Sequence, residues 1–117
     1  MAKRILLVED ESLTRNIISV FLRHEGYEVH EAKDGAEALD LLHIWRFDLV
    51  LSDIRLPRVD GIAVGSHLRS VAPNTPFIAI TAYPDDAVGL SAIPKATYMS
   101  KPILLDQLKF RIQRLLN

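Results

Sequence analysis

The sequence of 117 residues contains no cysteine, which excludes disulfide bonds, thiolate metal sites and a cysteine nucleophile. It also lacks any apolar run close to the roughly 20 residues that cross a lipid bilayer as a helix. The N-terminal apolar run, Ile5 to Val8, is too short for a secretory signal, and acidic residues follow it directly. From these absences we expect a cytoplasmic protein with no membrane partner.

An excess of charge of either sign is missing as well. Lys and Arg number 14 and Asp and Glu number 15, so the formal net charge is -1. A balanced chain has no general attraction for a polyanion, and we expect no direct binding to nucleic acid. With 49% hydrophobic residues the composition is that of a folded protein. The length suits one compact domain, so we expect residues 1–117 to form a single domain.

Short apolar segments alternate along the chain with segments of helical periodicity. The apolar segments are RILLV (4–8), YEVHEA (27–32), FDLVLS (47–52), TPFIAIT (75–81) and ATYMS (96–100). Such alternation predicts an α/β fold in which right-handed crossovers place helices on both faces of a mainly parallel sheet. We therefore predict a doubly wound sheet of five strands.

Capping residues mark the starts of three of the predicted helices. Ser12 is expected to cap the first helix, Asp34 with Glu37 resembles a capping box for the second, and Asp60 stands before the third. The C-terminal helix is expected to place four apolar residues on one side, namely Leu104, Leu108, Ile112 and Leu115.

The segment from Pro84 to Pro94 contains two prolines and Gly89. A regular helix tolerates neither residue type well in its interior. We expect any helix in this segment to be short or distorted.

Polar residues stand where the predicted strands end. They are Glu9, Asp10 and Glu11 after the first strand, Asp53 after the third, Thr81 at the end of the fourth, and Ser100 with Lys101 after the fifth. In an open parallel sheet, ligands bind outside the carboxyl ends of the strands. We expect these side chains to meet at one edge, with the Asp53 carboxylate exposed at its strand tip.

Converging carboxylates without cysteine or a histidine pair make an all-oxygen site, which suits Mg²⁺. A cation and a lysine can neutralise the oxygens of a transferring phosphoryl group, while a carboxylate serves as the nucleophile. Each residue alone has an ordinary explanation: Asp10 as a helix cap, Thr81 as a strand-end residue, Lys101 as a solvated charge. Their combination favours a phosphoryl-transfer site.

Four motifs, ILLVEDE, SDIRLPRVDG, AITAY and YMSKP, resemble those of the receiver domains of bacterial two-component response regulators, including the chemotaxis regulators. The resemblance covers essentially the whole chain. It implies a flavodoxin-like fold with strand order 2-1-3-4-5. It also implies that residues 1–117 are a single receiver domain, which is a signalling switch and not an enzyme acting on external substrates.

The resemblance implies a role for each matching residue. Asp53 would accept a phosphoryl group from the phosphohistidine of a kinase, and Lys101 would contact that group. Asp10 and Asp53 would bind Mg²⁺ directly, Glu9 through water and Arg55 through its backbone carbonyl. Mn²⁺ is a chemically similar alternative.

Two further pairs are implied by the resemblance. Thr81 would turn its hydroxyl toward the phosphoryl group, and Tyr98 would rotate into the space that Thr81 leaves, as a two-state switch. Arg55 and Tyr83 stand where side chains can screen the acyl phosphate from water and so set the rate of dephosphorylation. Tyr83 is equally well explained as an ordinary surface aromatic residue.

The expected partners are a sensor histidine kinase or a histidine phosphotransfer protein, and a downstream protein that the sequence does not identify. Because no effector segment follows the last helix, we expect a stand-alone regulator. Two alternatives belong to other classes. An aspartyl phosphatase would need a second acid two residues after the nucleophile, where Arg55 stands instead. A phosphorylation-independent scaffold would have no use for the intact set of acids, threonine and lysine.

Overall fold

The structure, a computed structural model, describes residues 2–116. One parallel sheet contains five strands in the order β2-β1-β3-β4-β5. The strands are β1 (Arg4–Val8), β2 (Glu28–Ala32), β3 (Leu49–Asp53), β4 (Phe77–Thr81) and β5 (Ala96–Ser100). The helices are α1 (Ser12–His24), α2 (Gly35–Ile44), α3 (Gly61–Val71), the 3-10 helix η1 (Pro84–Ala92) and α4 (Leu105–Leu116). The predicted α/β fold and strand order are confirmed.

The hydrophobic core has two halves, one on each face of the sheet. Successive side chains of a strand point to opposite faces, so in β1 Leu6 packs in one half and Leu7 in the other. The half that contains Leu6 also buries Val64 of α3 and Leu90 of η1. The other half is covered by α1 and α4. This arrangement explains why the central strands are nearly continuous apolar runs.

The helix starts follow from capping side chains. Asp34 accepts a hydrogen bond from the Glu37 N–H at 2.8 Å, and Asp60 accepts one from the Ala63 N–H at 2.9 Å, so both predicted caps are confirmed. The prediction for Ser12 is wrong by one position. Glu11 has the extended backbone of a cap and its carboxylate accepts from the backbone N–H of Thr14, so Ser12 is already the first helical residue.

The segment between β4 and β5 forms η1 instead of a regular α-helix. Pro84 occupies its first turn, where the missing N–H costs no helical hydrogen bond. The prediction of a distorted helix is confirmed. Within residues 2–116, no helix is both long enough and apolar enough to cross a bilayer.

The C-terminal helix buries a narrower stripe than predicted. Leu108 and Ile112 are fully buried, but Leu104 and Leu115 are 55% and 38% exposed, so the prediction is wrong for these two. Leu104 precedes the helix. The buried stripe runs at a spacing of four residues, so Leu116 and not Leu115 packs against the core in the last turn.

The leucines of α4 provide a stability test of this packing. Leu108→Ala is expected to lower the free energy of unfolding by about 2–5 kcal/mol, because it leaves a cavity in the core. Leu115→Ala, the matched control, should change it by less than about 1 kcal/mol. Urea denaturation measures both. Equal losses in the two variants would contradict the assignment of the buried stripe.

Candidate functional site

The carboxyl ends of β1, β3, β4 and β5 form one edge of the sheet. The register places Val8 beside Ser52 and Thr81 beside Ser100. The residues that continue past these pairs therefore stand next to one another. The Lys101 N–H donates to the Thr81 carbonyl at 2.9 Å, which extends the ladder by one residue and fixes where the lysine leaves the sheet.

Three acidic residues converge at this edge. Glu9, Asp10 and Asp53 each place a carboxylate oxygen within 4.8 Å of the others. Asp10 is exposed, whereas Glu9 and Asp53 are only 2% and 4% exposed. The structure thus assembles the acids that the sequence places on two separate strands, and two of them are removed from solvent.

Lys101 lies against both buried acids. Its Nζ donates to Asp53 Oδ2 at 2.6 Å and is 3.3 Å from Glu9 Oε1. Burial alone lowers the pKa of Lys101, but the hydrogen bond to Asp53 and the charges of Asp53 and Glu9 outweigh it, so the pKa is raised. The ammonium therefore stays charged and partly neutralises the cluster.

Glu9 carries an incompletely satisfied carboxylate. Its Oε2 accepts from the Glu11 N–H at 3.0 Å, but Oε1 is buried and has no hydrogen-bond partner, since Lys101 approaches it without hydrogen-bond geometry. Burial is the main cause that raises the pKa of Glu9, and the neighbouring Asp53 charge adds to it. An oxygen without a hydrogen-bond partner, beside two more carboxylates, fits the donor set of a hard cation such as Mg²⁺.

The Asp53 carboxylate is buried, so the expectation that it is exposed at the strand tip is wrong. Asp53 does end β3, but the Lys101 ammonium covers Oδ2, and an ion pair makes such burial tolerable. The loop that follows β3 also passes close to the backbone of Asp53, since a Cβ on Gly61 would lie 2.2 Å from the Asp53 carbonyl oxygen. Only glycine permits this approach.

Thr81 ends β4 and is 1% exposed. Its hydroxyl donates to Asp86 Oδ2 at 2.8 Å and accepts from the Tyr83 N–H at 3.0 Å. Asp86 is a residue that the sequence analysis missed. It lies in the first turn of η1, where acids are common for the helix dipole alone, so its spacing of five residues from Thr81 gave no distinct signal.

Arg55 and Tyr83 contact each other beside the acidic cluster. The Arg55 guanidinium carbon lies 3.6 Å from the centroid of the Tyr83 ring, a cation-π geometry. Arg55 Nε also donates to Asp86 Oδ2 at 2.9 Å. The two residues expected to screen the site are thus brought together. Tyr98, expected to rotate inward in the switched state, is 37% exposed in this structure.

The burial of Glu9 leads to a prediction about stability. A raised pKa means that the folded state binds the proton more tightly than the unfolded chain, so ionised Glu9 disfavours folding above that pKa. In metal-free buffer at neutral pH, Glu9→Gln is expected to raise the urea midpoint. The gain should shrink as the pH falls through the raised pKa toward 4.5, the ordinary value of the group, and it should be absent below that value.

Glu11→Gln is the matched control, and its effect has the opposite sign. Hydrogen bonds from the Thr14 side chain and backbone lower the pKa of Glu11, so its charge stabilises the fold at neutral pH and this contribution is lost in acid. Urea titrations at neutral and acidic pH measure both variants. A lower midpoint for Glu9→Gln at neutral pH would contradict this account of the cluster.

Comparison with known proteins finds relatives that match nearly the whole chain. Residues 5–113 match the family described as response regulator receiver domain. Among curated proteins, the transcriptional regulatory protein CrdR of Helicobacter pylori is 37% identical over 120 residues, which cover 100% of this chain and 56% of that protein. The regulatory protein AtoC of Escherichia coli is 38% identical, over 97% of this chain and 25% of its own length. The chain thus spans about half or less of these relatives.

Solved structures with the same fold cover nearly the whole chain. The chemotaxis response regulator CheY4 of Vibrio cholerae has a TM-score of 0.91 at 30% identity and covers 99% of this chain and 100% of its own. The response regulator TrrA of Thermotoga maritima, solved in complex with Mg²⁺ and BeF, has a TM-score of 0.87 at 34% identity, with 97% and 99% coverage.

Proposed function

The chain belongs to the family of response regulator receiver domains, and from this premise we propose that it is a switch whose phosphoryl acceptor is Asp53. The observation that carries the proposal is the placement of the Asp53 carboxylate, which is held at the end of β3 by Lys101 and flanked by Glu9 and Asp10. One edge of the sheet thus holds the nucleophilic carboxylate, the Lys101 ammonium and the neighbouring acids together, as phosphoryl transfer requires.

The proposed reaction forms an acyl phosphate. An Asp53 carboxylate oxygen attacks the phosphorus of a phosphohistidine, the P–N bond breaks, and its electron pair returns to the imidazole of the donor, which takes up a proton. Lys101 already lies 2.6 Å from Asp53 Oδ2. We propose that its ammonium moves from the carboxylate to an oxygen of the transferred group, where it stabilises the added negative charge.

A divalent cation fits the same edge. We propose that Asp10 and Asp53 bind Mg²⁺, or Mn²⁺ in its place, directly, that Glu9 does so through water, and that Arg55 contributes its backbone carbonyl. Glu9 Oε1 supports this assignment, because it is buried and accepts no hydrogen bond. When bound, such an ion neutralises charge on the phosphoryl oxygens.

The switch would use Thr81 and Tyr98. We propose that the Thr81 hydroxyl turns to the new phosphoryl group and that Tyr98 then moves from the surface into the vacated space. The sequence-based expectations that residues 1–117 form one domain, that the regulator stands alone and that it is cytoplasmic stay predictions. A sensor kinase or histidine phosphotransfer protein is the proposed donor, and the downstream partner is a protein.

The acceptor assignment predicts a specific modification. Incubation with acetyl phosphate and Mg²⁺ should add one phosphoryl group to the intact mass, and the Asp53→Asn variant should gain none, because its amide is a poor nucleophile. Asp40→Asn, a change of the same type on the exposed face of α2, should behave as the parent. The parent should also gain none when EDTA removes the metal.

The outcome also distinguishes the proposed switch from a phosphorylation-independent scaffold. Addition of a phosphoryl group independent of Asp53 would overturn the acceptor assignment. No addition under any condition, including incubation with phosphorylated kinases, would favour the phosphorylation-independent scaffold.

The contact between Arg55 and Tyr83 predicts an effect on the lifetime of the phosphorylated form. Tyr83→Ala removes the ring on which the guanidinium rests, so water should reach the acyl phosphate more easily and the lifetime should shorten. Phe110→Ala, which removes an exposed aromatic side chain from α4, is the control. Loss of the phosphoryl mass is followed over time after the donor is removed. An unchanged lifetime in Tyr83→Ala would show that Tyr83 is an ordinary surface residue.

A further inference from the structure

Thr81 has one hydroxyl proton, and Asp86 accepts it. The Thr81 Oγ1 lies 2.8 Å from Asp86 Oδ2. The other acceptor nearby, the Tyr83 carbonyl, is uncharged and 3.4 Å away. Hydrogen bonds to a charged oxygen are shorter and stronger than those to a neutral one, so the carboxylate is the preferred acceptor. In this state the Thr81 hydroxyl donates its hydrogen bond to a residue of η1 and not to Asp53.

Arg55 holds the Asp86 carboxylate in place. Its Nε donates to Oδ2 at 2.9 Å and its Nη2 to Oδ1 at 3.4 Å, so both oxygens are engaged. The Tyr83 ring also contacts the guanidinium. The hydrogen bonds from Arg55, and next from Thr81, lower the pKa of Asp86. Asp86 is therefore a fixed and charged acceptor.

These contacts join three parts of the fold that the phosphoryl group is expected to affect. Arg55 lies in the loop that follows the acceptor strand, Thr81 ends β4, and Asp86 belongs to the first turn of η1. The links between them meet at one carboxylate oxygen, Asp86 Oδ2, which accepts from both Thr81 and Arg55. A change of partner by Thr81 would therefore alter the attachment of η1.

We propose that Asp86 is a positioning residue that acts as a latch. It holds the Thr81 hydroxyl in the unphosphorylated arrangement, and this hydrogen bond must break when Asp53 is phosphorylated. The consequence rests on the proposed function, in which the same hydroxyl donates to a phosphoryl oxygen on Asp53. One proton cannot serve both acceptors. The hydrogen bond between Thr81 and Asp86 thus favours the resting state. A ligand that binds the Thr81 hydroxyl must first break this bond, so its affinity is lowered by the free energy of that step.

The affinity for beryllofluoride, a mimic of the phosphoryl group, measures this cost. In the presence of Mg²⁺, Asp86→Ala is expected to bind beryllofluoride about five- to tenfold more tightly than the parent, since no charged acceptor competes for Thr81. Damage to the fold would weaken binding instead. Fluorine NMR titration gives the affinities.

Two variants distinguish a latch from a simple change of charge. Asp85→Ala removes the same charge from an exposed neighbour in η1 and should leave the affinity unchanged. Asp86→Asn removes the charge but keeps an oxygen that can accept from Thr81, so it should lie between the parent and Asp86→Ala. Equal gains in Asp85→Ala and Asp86→Ala, or in Asp86→Asn and Asp86→Ala, would overturn the latch.

A second readout needs neither metal nor phosphoryl mimic. Three-bond couplings of the Thr81 methyl carbon report its side-chain rotamer, which should be single in the parent and in Asp85→Ala and averaged in Asp86→Ala. A single rotamer in all three would overturn the latch even if phosphorylation of Asp53 is established. If the parent binds no beryllofluoride, the proposed function fails. The Thr81 rotamer measured by the couplings then tests the latch by itself.

Discussion

The ion pair between Lys101 and the buried carboxylates of Asp53 and Glu9 is the interaction on which the functional edge of the sheet depends. Two carboxylates removed from water at such close range are unfavourable without a nearby cation. The Lys101 ammonium provides it and at the same time ties the end of β5 to the ends of β1 and β3. The acidic cluster is therefore compatible with folding, although Glu9 remains incompletely satisfied.

An incoming group at this edge has to replace partners that are already present. Lys101 occupies Asp53 Oδ2, and Asp86 occupies the Thr81 hydroxyl. On our proposals, phosphorylation of Asp53 gives both donors a new acceptor, so that one covalent event changes two hydrogen bonds on neighbouring strands. The resting and switched states then differ by exchanged contacts of similar type, which keeps their free energies close enough for a reversible switch.

Much of the fold could be read from the sequence because buried parallel strands are short apolar runs and the helices between them carry caps such as Asp34 and Asp60. The convergence of Glu9, Asp53 and Lys101 followed from the rule that parallel strands end at one edge. The burial of Asp53 did not follow, because it depends on the direction in which the Lys101 side chain leaves β5. The hydrogen bond between Thr81 and Asp86 was also not predictable, since a contact between a strand end and an irregular 3-10 helix has no periodic signature.

On our proposal, the carboxylate held by Lys101 is the one that reacts. Borohydride reduces an acyl phosphate to an alcohol and so converts a phosphorylated aspartate into homoserine, which peptide mass spectrometry locates in the chain. After treatment with acetyl phosphate and Mg²⁺, we expect homoserine at position 53 and an unmodified Asp10. Homoserine at any other aspartate, or at none while the intact mass shows phosphorylation, would contradict it.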